Sequence, residues 1–343
     1  MAEKFTTTFS FWKKFMDCRK SCQYRYIDEL VSIYKNDNLL FGSVIHECLE
    51  SWHEKRDFVD VVNHLQTLYS DRFTNLKSMD SYSRAAAMMR GYVNTYPEEE
   101  FEVIELEKKF EGNIINPKTH KTSLTLKLAG KIDGIVKQGN SYFLLEHKTA
   151  STIDENYLSK LWNDFQITIY AWYARECFNI PITGIIYNIL GKTKVKQSKG
   201  ETEREFLLRK QELIAKSKTG KSAAKRKMPE SNEDFQTKLA KVYNDSKMFH
   251  REVIYLTEDN FTALLSELWQ LSQAFLHARR TGNFYRNTGQ CYQYFSQCSY
   301  HAICNASNKQ MVIDNQYTKC EAHEELKEEN NAVPEESATE LSF

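Results

Sequence analysis

The sequence predicts an α/β fold with a mixed central sheet flanked by helices, and three observations carry that prediction. Apolar and polar residues alternate through residues 101–149. A stretch with helical apolar spacing, NYLSKLWNDFQITIYAWYAREC, follows at 156–177. The chain then returns as an apolar strand, TGIIYNIL, at 183–190. Strands, a helix and a returning strand imply an α/β core with mixed pairing.

Residues 8–38 form a helical entry anchored by Phe11, Trp12, Phe15, Tyr26 and Leu30, with Cys18 and Cys22 one helical turn apart. A second amphipathic helix covers 43–56 and places His46, Glu50 and His53 on one face. Helix continues over about 58–95, until Pro97 interrupts it. A meander follows, with FEVIELEKKF, LTLKLAGKIDGIV and SYFLLEHKT as strands and Gln138-Gly139-Asn140 as the tight turn between the last two. After the returning strand, residues 191–228 hold 13 Lys or Arg against four Glu and read as a basic insertion rather than core. The strand REVIYLT and a helix over about 258–280 close the body, before a cysteine-rich segment and a polar tail. We expect one domain over 1–320 and a disordered acidic tail over 321–343.

Composition narrows the function. The 343 residues carry 46 basic and 46 acidic side chains, but residues 321–343 alone hold eight Glu and one Lys. The remainder keeps 45 basic against 38 acidic groups, an asymmetry that suits a polyanionic partner. No run approaches the roughly 18 apolar residues of a membrane span, and the N-terminus lacks the apolar core of a signal peptide. The expectation is an intracellular, cytoplasmic protein without a membrane partner. Eight cysteines in such a chain favour reduced thiols or metal ligation over disulfides.

The most informative stretch is GKIDGIVKQGNSYFLLEHKTA. Asp133 lies on one strand of the hairpin, while Glu146 and Lys148 sit two apart on the next and project from one face; His147 points the other way. Two carboxylates converging at the end of a hairpin make a hard-oxygen site suited to Mg²⁺ or Mn²⁺, and a lysine beside them can orient or polarise a water nucleophile. An isolated Glu-x-Lys would be an ordinary exposed pair. A buried strand that ends abruptly in charge seldom carries such a pair unless it is bonded or binds an ion.

These residues, in order, resemble the PD-(D/E)xK nuclease superfamily with its restriction-endonuclease-like core, and within it the RecB-family exonucleases that carry an iron–sulfur cluster, including AddB-like and CRISPR-associated relatives. The similarity runs over most of residues 8–305, through CRKSCQYRYI, Gly42 with His46, Glu107 in IELEKKF, Asp133 in GKIDG, Glu146 and Lys148 in LLEHKT, and Gln166 with Tyr170 in FQITIY. The resemblance implies that Asp133, Glu146 and the backbone carbonyl of His147 hold the divalent metal, with His46 as a further metal or near-site ligand. It implies that Lys148 activates or positions water, and that Gln166 and Tyr170, one helical turn apart, lie beside the site. Glu105 is an equally plausible occupant of the place given to Glu107, since it shares the strand and the side-chain phase.

Cys291, Cys298 and Cys304 stand with six and five intervening residues, and a fourth ligand must come from elsewhere. By the same resemblance Cys18 supplies it, joining the chain ends around a [4Fe-4S] cluster. Cys22, one turn on, is sterically as reasonable. Many members of the family space the trio by two and then five residues, so the first gap here is longer. Zinc is the competing metal, but only Cys18 and Cys22 have the short spacing of a zinc knuckle. Cys48 and Cys177 read as core thiols, and Cys320 lies past the motif.

The resulting expectation is a metal-dependent DNA exonuclease acting on ends or single strands, in recombination, repair or phage-type DNA processing. A helicase, recombinase or annealing protein is a conceivable partner. The alternatives are a catalytically silent, cluster-stabilised DNA-binding or docking subunit, and a structure-specific endonuclease. The basic residues of 191–228 could track phosphates, and aromatics of 162–173 could stack bases.

Overall fold

The computed structural model describes residues 3–34, 37–72, 77–293 and 296–326. Its contacts divide the chain into two compact units, one of residues 1–35, 109–131 and 265–343, the other of residues 36–108 and 132–264. Each is interleaved in sequence with the other. The elements in chain order are β1 (Phe5–Thr7), α1 (Phe9–Asp17), α2 (Arg19–Tyr26), β2 (Leu30–Ser32), α3 (Asp37–Lys55), α4 (Phe58–Arg72), α5 (Lys77–Thr95), β3 (Glu102–Ile115), β4 (Thr122–Gln138) and β5 (Ser141–Ala150). There follow α6 (Glu155–Leu161), α7 (Phe165–Phe178), β6 (Ile182–Gly191), α8 (Glu203–Lys216), α9 (Asn232–Tyr243), β7 (Phe249–Tyr255) and α10 (Glu258–Thr281). The short elements β8 (Tyr292–Gln293), β9 (Ser296–Gln297), α11 (His301–Asn305), α12 (Lys309–Gln316) and β10 (Tyr317–Lys319) complete the described chain.

In the unit of residues 36–108 and 132–264, β4 and β5 pair antiparallel from Gly134–Leu145 to Gln138–Ser141. Gly139 makes that turn possible, with φ +61 and open space around the place of a Cβ. β5 runs parallel to β6, which pairs antiparallel with β7. A parallel pair needs a crossover, and α6 with α7 supplies it. Because β5 and β6 are covered on both faces, they read as near-continuous apolar runs, and Phe143–His147 and Gly184–Gly191 are buried throughout. Helices α3, α4 and α5 pack their apolar faces into one core with Leu190, Tyr243 and Phe249. At Gly91 a Cβ would stand 2.5 Å from the Tyr243 carbonyl oxygen, so only glycine lets α5 and α9 approach this closely.

In the other unit, β1 lies parallel to Leu126–Leu128 of β4, and β2 pairs antiparallel with β10. Phe11, Trp12 and Phe15 on one face of α1 are buried around Phe275 of α10, with ring centroids of Phe11 and Phe275 4.9 Å apart at 89°. Thr8 caps α1 by accepting from the Phe11 N–H.

Three expected elements differ from the structure. The helical entry is broken at Cys18, whose backbone is extended at φ −160, and it ends in strand β2 rather than running to residue 38. No Gly or Pro marks either change. The helix expected over 58–95 is two, α4 and α5, with residues 73–76 outside the described part. The segment 156–177 is also two helices, because Asp164 takes extended geometry and caps α7 through the Gln166 N–H. Within 191–228, α8 buries none of its residues. Of the acidic tail, residues 327–343 lie outside the described residues, while Glu324–Leu326 form a 3₁₀ turn.

Candidate active site

The end of the β4–β5 hairpin brings the carboxylates together. Asp133 stands one residue beyond the last paired position of β4, and Glu146 one beyond its partner on β5. The Asp133 Oδ2 accepts the His147 N–H at 2.9 Å and lies 3.3 Å from His46 Nδ1 on α3. His46 therefore pairs with the site aspartate. Burial works to raise the Asp133 carboxyl, but the neighbouring His46 imidazole and the His147 N–H outweigh it and hold the group below the ordinary carboxylate range. The same contact raises His46 against its own burial. Glu146 goes the other way: burial, with Asp133 as a like charge, pushes it up to about 7 despite Lys148.

Lys148 links strand and helix. Its Nζ donates to Glu146 Oε1 at 2.5 Å and to Gln166 Oε1 at 3.1 Å. Although burial disfavours the ammonium, Glu146 and Asp164 raise it above the usual lysine range. Asp164 thus has two tasks, capping α7 so that Gln166 faces the lysine, and contributing negative charge beside it. Its other carboxylate oxygen accepts from the Tyr187 hydroxyl at 3.3 Å. Tyr170, one turn beyond Gln166, is buried on α7. Glu105 is ion-paired with Lys108 at 3.1 Å, and its carbonyl lies beside Gly134; Glu107 follows in left-handed geometry at φ +49. Among the aromatics of 162–173, Trp162 is exposed while Tyr170 and Tyr173 are buried.

The His147 side chain points to the opposite face, into a buried polar chain that the residue pattern does not announce. Its Nδ1 is 3.0 Å from Asn188 Nδ2, which also donates to the Tyr92 hydroxyl at 3.1 Å. Tyr92 joins His53, Glu99 and Arg251, and the Arg251 guanidinium is 2.5 Å from Glu99 and stacks over Tyr96. His53 stacks on His147 with ring centroids 5.4 Å apart. Burial is the main reason both imidazoles stay neutral, His147 falling to about 3 and His53 well below its ordinary value. The sequence holds a single clue to this chain, an asparagine inside the apolar run TGIIYNIL, which must find buried partners.

Among the described residues, no three His, Cys, Asp or Glu side chains already stand as a metal centre. The donor chemistry nevertheless fits a hard divalent cation: the Asp133 carboxylate raises the proton affinity of the buried Glu146 beside it, and a bound cation would relieve that repulsion.

In the other unit the predicted thiols are drawn into one neighbourhood by backbone links. Cys18 Sγ accepts the Asn287 N–H at 3.4 Å, Cys291 Sγ lies 4.0 Å from the Asn287 carbonyl, and the Cys298 N–H donates to the Cys291 carbonyl at 2.9 Å. Burial raises the Cys304 thiol, with smaller effects from Tyr24, Cys298 and Cys18. Cys22 is fully buried, its thiol directed to the Phe11 carbonyl at 3.8 Å, which leaves Cys18 as the one of the two that faces the trio. Cys48 is a core thiol as expected. Cys177 is not: it lies exposed near the end of α7.

Residues 6–305 match the PD-(D/E)XK nuclease superfamily, and the chain belongs to it. It is a mixed α/β protein of the nuclease class. Among solved structures it is similar to a protein from Eubacterium rectale provisionally described as an exonuclease, at 9% identity and a TM-score of 0.45, over 82% of this chain and 83% of that one. No curated protein matches it. Among the described residues, no helix is long and apolar enough to cross a membrane.

Proposed function

We propose that the chain is a metal-dependent deoxyribonuclease, acting as an exonuclease on DNA ends or single strands. The observation that carries this reading is the set of Asp133, Glu146 and Lys148, Glu146 buried and the other two partly so, with Lys148 bonded at once to Glu146 and to Gln166. Asp133 and Glu146, with the His147 carbonyl and His46 at hand, are the residues that would hold Mg²⁺ or Mn²⁺. Such an ion, when bound, polarises a phosphoryl oxygen and lowers the proton affinity of water. The rest belongs to the chain itself. His46 and the His147 N–H fix the Asp133 carboxylate in place. The Lys148 ammonium, positioned by Gln166, presents its remaining N–H to a water or a phosphate oxygen. The apolar strands around it keep this charge in a low-dielectric setting, where it acts more strongly than in water. Tyr170 supports α7 beside the site, and the exposed Trp162 offers a face for base stacking.

The cysteine segment belongs to the same reading. Cys18, Cys291, Cys298 and Cys304 would hold a [4Fe-4S] cluster that joins the two ends of their unit. The meeting of Cys18 and Cys291 at Asn287, and the influence of Cys298 and Cys18 on the Cys304 thiol, support it.

End-labelled linear single-stranded and duplex DNA, incubated with Mg²⁺ or Mn²⁺ and anaerobically purified protein beside its Lys148→Ala variant, tests the proposal. The expected result is metal-dependent shortening by the wild type alone. Internal nicking of closed circular DNA would replace the exonuclease by an endonuclease. No cleavage by protein with intact cluster would favour a silent DNA-binding or docking subunit.

A further inference from the structure

A groove of about 950 Å³ opens in the unit of residues 36–108 and 132–264, lined by Phe41, Arg84, Lys192, Lys194, Lys196 and Lys199 among others. It adjoins the site by covalent continuity. Ser151 on its edge lies three residues beyond Lys148, about 10 Å at roughly 3.3 Å per strand residue, and the Lys192 N–H donates to the Ala150 carbonyl at 2.6 Å. Phe41 belongs to the same helix as His46.

The lysines of the groove are without counter-charges. Among the described residues, Lys192, Lys194, Lys196 and Lys199 form no ion pair, whereas the two acids of the lining are bonded to other residues than these lysines. Asp80 pairs with Arg84 at 2.6 Å, and Glu230 accepts from the Ser198 N–H and from Lys238. The Arg84 Nε is buried without a hydrogen-bond partner. By contrast, arginines of the following arm are spent within it, Arg209 on Glu201 and Arg226 on the Glu201 carbonyl. The lysine loop is also held in place: Thr193 N–H donates to the Tyr243 hydroxyl, and Gln197 bonds Glu230 and Asn232. A row of unpaired lysines on a backbone held in place calls for a flexible polyanion. The volume is that of a small-ligand cleft, enough for a few residues of one strand and too small to enclose a duplex.

We infer that this groove binds a single strand of the DNA substrate a few phosphates away from the cleaved bond, so that the enzyme favours substrates with a single-stranded tract. The inference rests on the nuclease reading and adds the substrate form.

The test measures binding of a labelled oligothymidylate of roughly 20 nucleotides, the matching blunt duplex and a labelled mononucleotide, without divalent cation so that no cleavage intervenes. One variant replaces Lys192, Lys194, Lys196 and Lys199 by alanine. A second, with the same charge loss, replaces Lys216, Lys218, Lys221 and Lys225 in the arm. The groove variant is expected to bind the oligothymidylate about tenfold or more weakly, with the slope of log affinity against log salt reduced by about 0.7 for each phosphate no longer neutralised by a lysine. The arm variant should keep both, and the wild type should bind the single strand more tightly than the duplex. Should the fourfold groove variant fail to fold by circular dichroism, the exposed pair Lys194→Ala and Lys196→Ala takes its place. Equal losses in both variants, unchanged binding by the groove variant, equal affinity for duplex, or mononucleotide binding as tight as that of the oligomer would overturn the inference. End-labelled DNA cleavage by the wild type separates the two failures: cleavage with normal binding by the groove variant removes the groove alone, and a wild type that neither cuts nor binds removes both.

Discussion

The carboxylate site and the cysteine segment are built on opposite principles. Asp133, Glu146 and Lys148 stand on long paired strands, within a few residues of a register that the ladder enforces. Each is fixed by bonds of 2.5–3.3 Å to neighbours that are buried or partly buried. The thiols sit on short elements and turns, at residues separated by most of the chain, and the bonds that gather them run largely through one loop residue, Asn287. A site on regular elements is preorganised by the fold, whereas a site on loops depends on whatever it binds to complete its order.

The largest expected effect tests the first half of that contrast. Asp133→Ala or Lys148→Ala should reduce cleavage about 10³-fold or more, equivalent to about 4 kcal/mol, while circular dichroism stays that of the wild type. Residual wild-type-like cleavage in either variant would break the site assignment. Arg251→Met comes next. It leaves the almost wholly buried Glu99 side chain with the partly exposed Arg56 at 3.2 Å as its remaining arginine, beside the Tyr92 hydroxyl, and should cost about 3 kcal/mol in urea unfolding.

The second half is sharpened by comparing two cysteines. Cys298→Ser should lose visible absorption and bound iron and lower the unfolding midpoint, whereas Cys22→Ser should keep the iron and cost only about 1–3 kcal/mol for a hydroxyl in an apolar site. Equal iron content in all three proteins would remove the cluster. The smallest effect is one of pH. His147 and His53 have folded values held below their unfolded ones, so the native state binds fewer protons and stability is complete above about 6.5. It should then fall as pH drops from about 6.5 towards 3, by about 1.4 kcal/mol per unit for each histidine. His53→Phe should flatten that slope in urea titrations at pH 7 and pH 5.

Much of the carboxylate site was legible because strand periodicity alone puts Glu146 and Lys148 on one face and His147 on the other. The place of Gln166 beside the site came from the family pattern, and neither that pattern nor periodicity supplied its bond to Lys148. The polar chain behind His147 was hidden because the bonds that join its strands to Tyr92 and His147 span 41 to 159 residues and each member looks ordinary alone. The break at Cys18 was hidden for another reason: apolar spacing continues across it, and an extended residue costs nothing that the residue types reveal. For the basic insertion, composition found the charge, but only the pairing of Arg209 and Arg226 within the arm tells which cations are left over.

The ladder of β2 with β10 has a consequence for how the protein is made. Ser32 finds its partner only when Tyr317 has been synthesised, an interval of about 15–60 s at roughly 5–20 residues per second. During that time α1 and α2 must wait on the ribosome with Cys18, Phe11 and Trp12 unmatched, although the strands carrying Asp133, Glu146 and Lys148 have long been complete. The nuclease scaffold therefore matures before the unit that contains both chain ends. The nascent N-terminal helices are the segment for which a holding chaperone, and late delivery of iron and sulfur, would matter most.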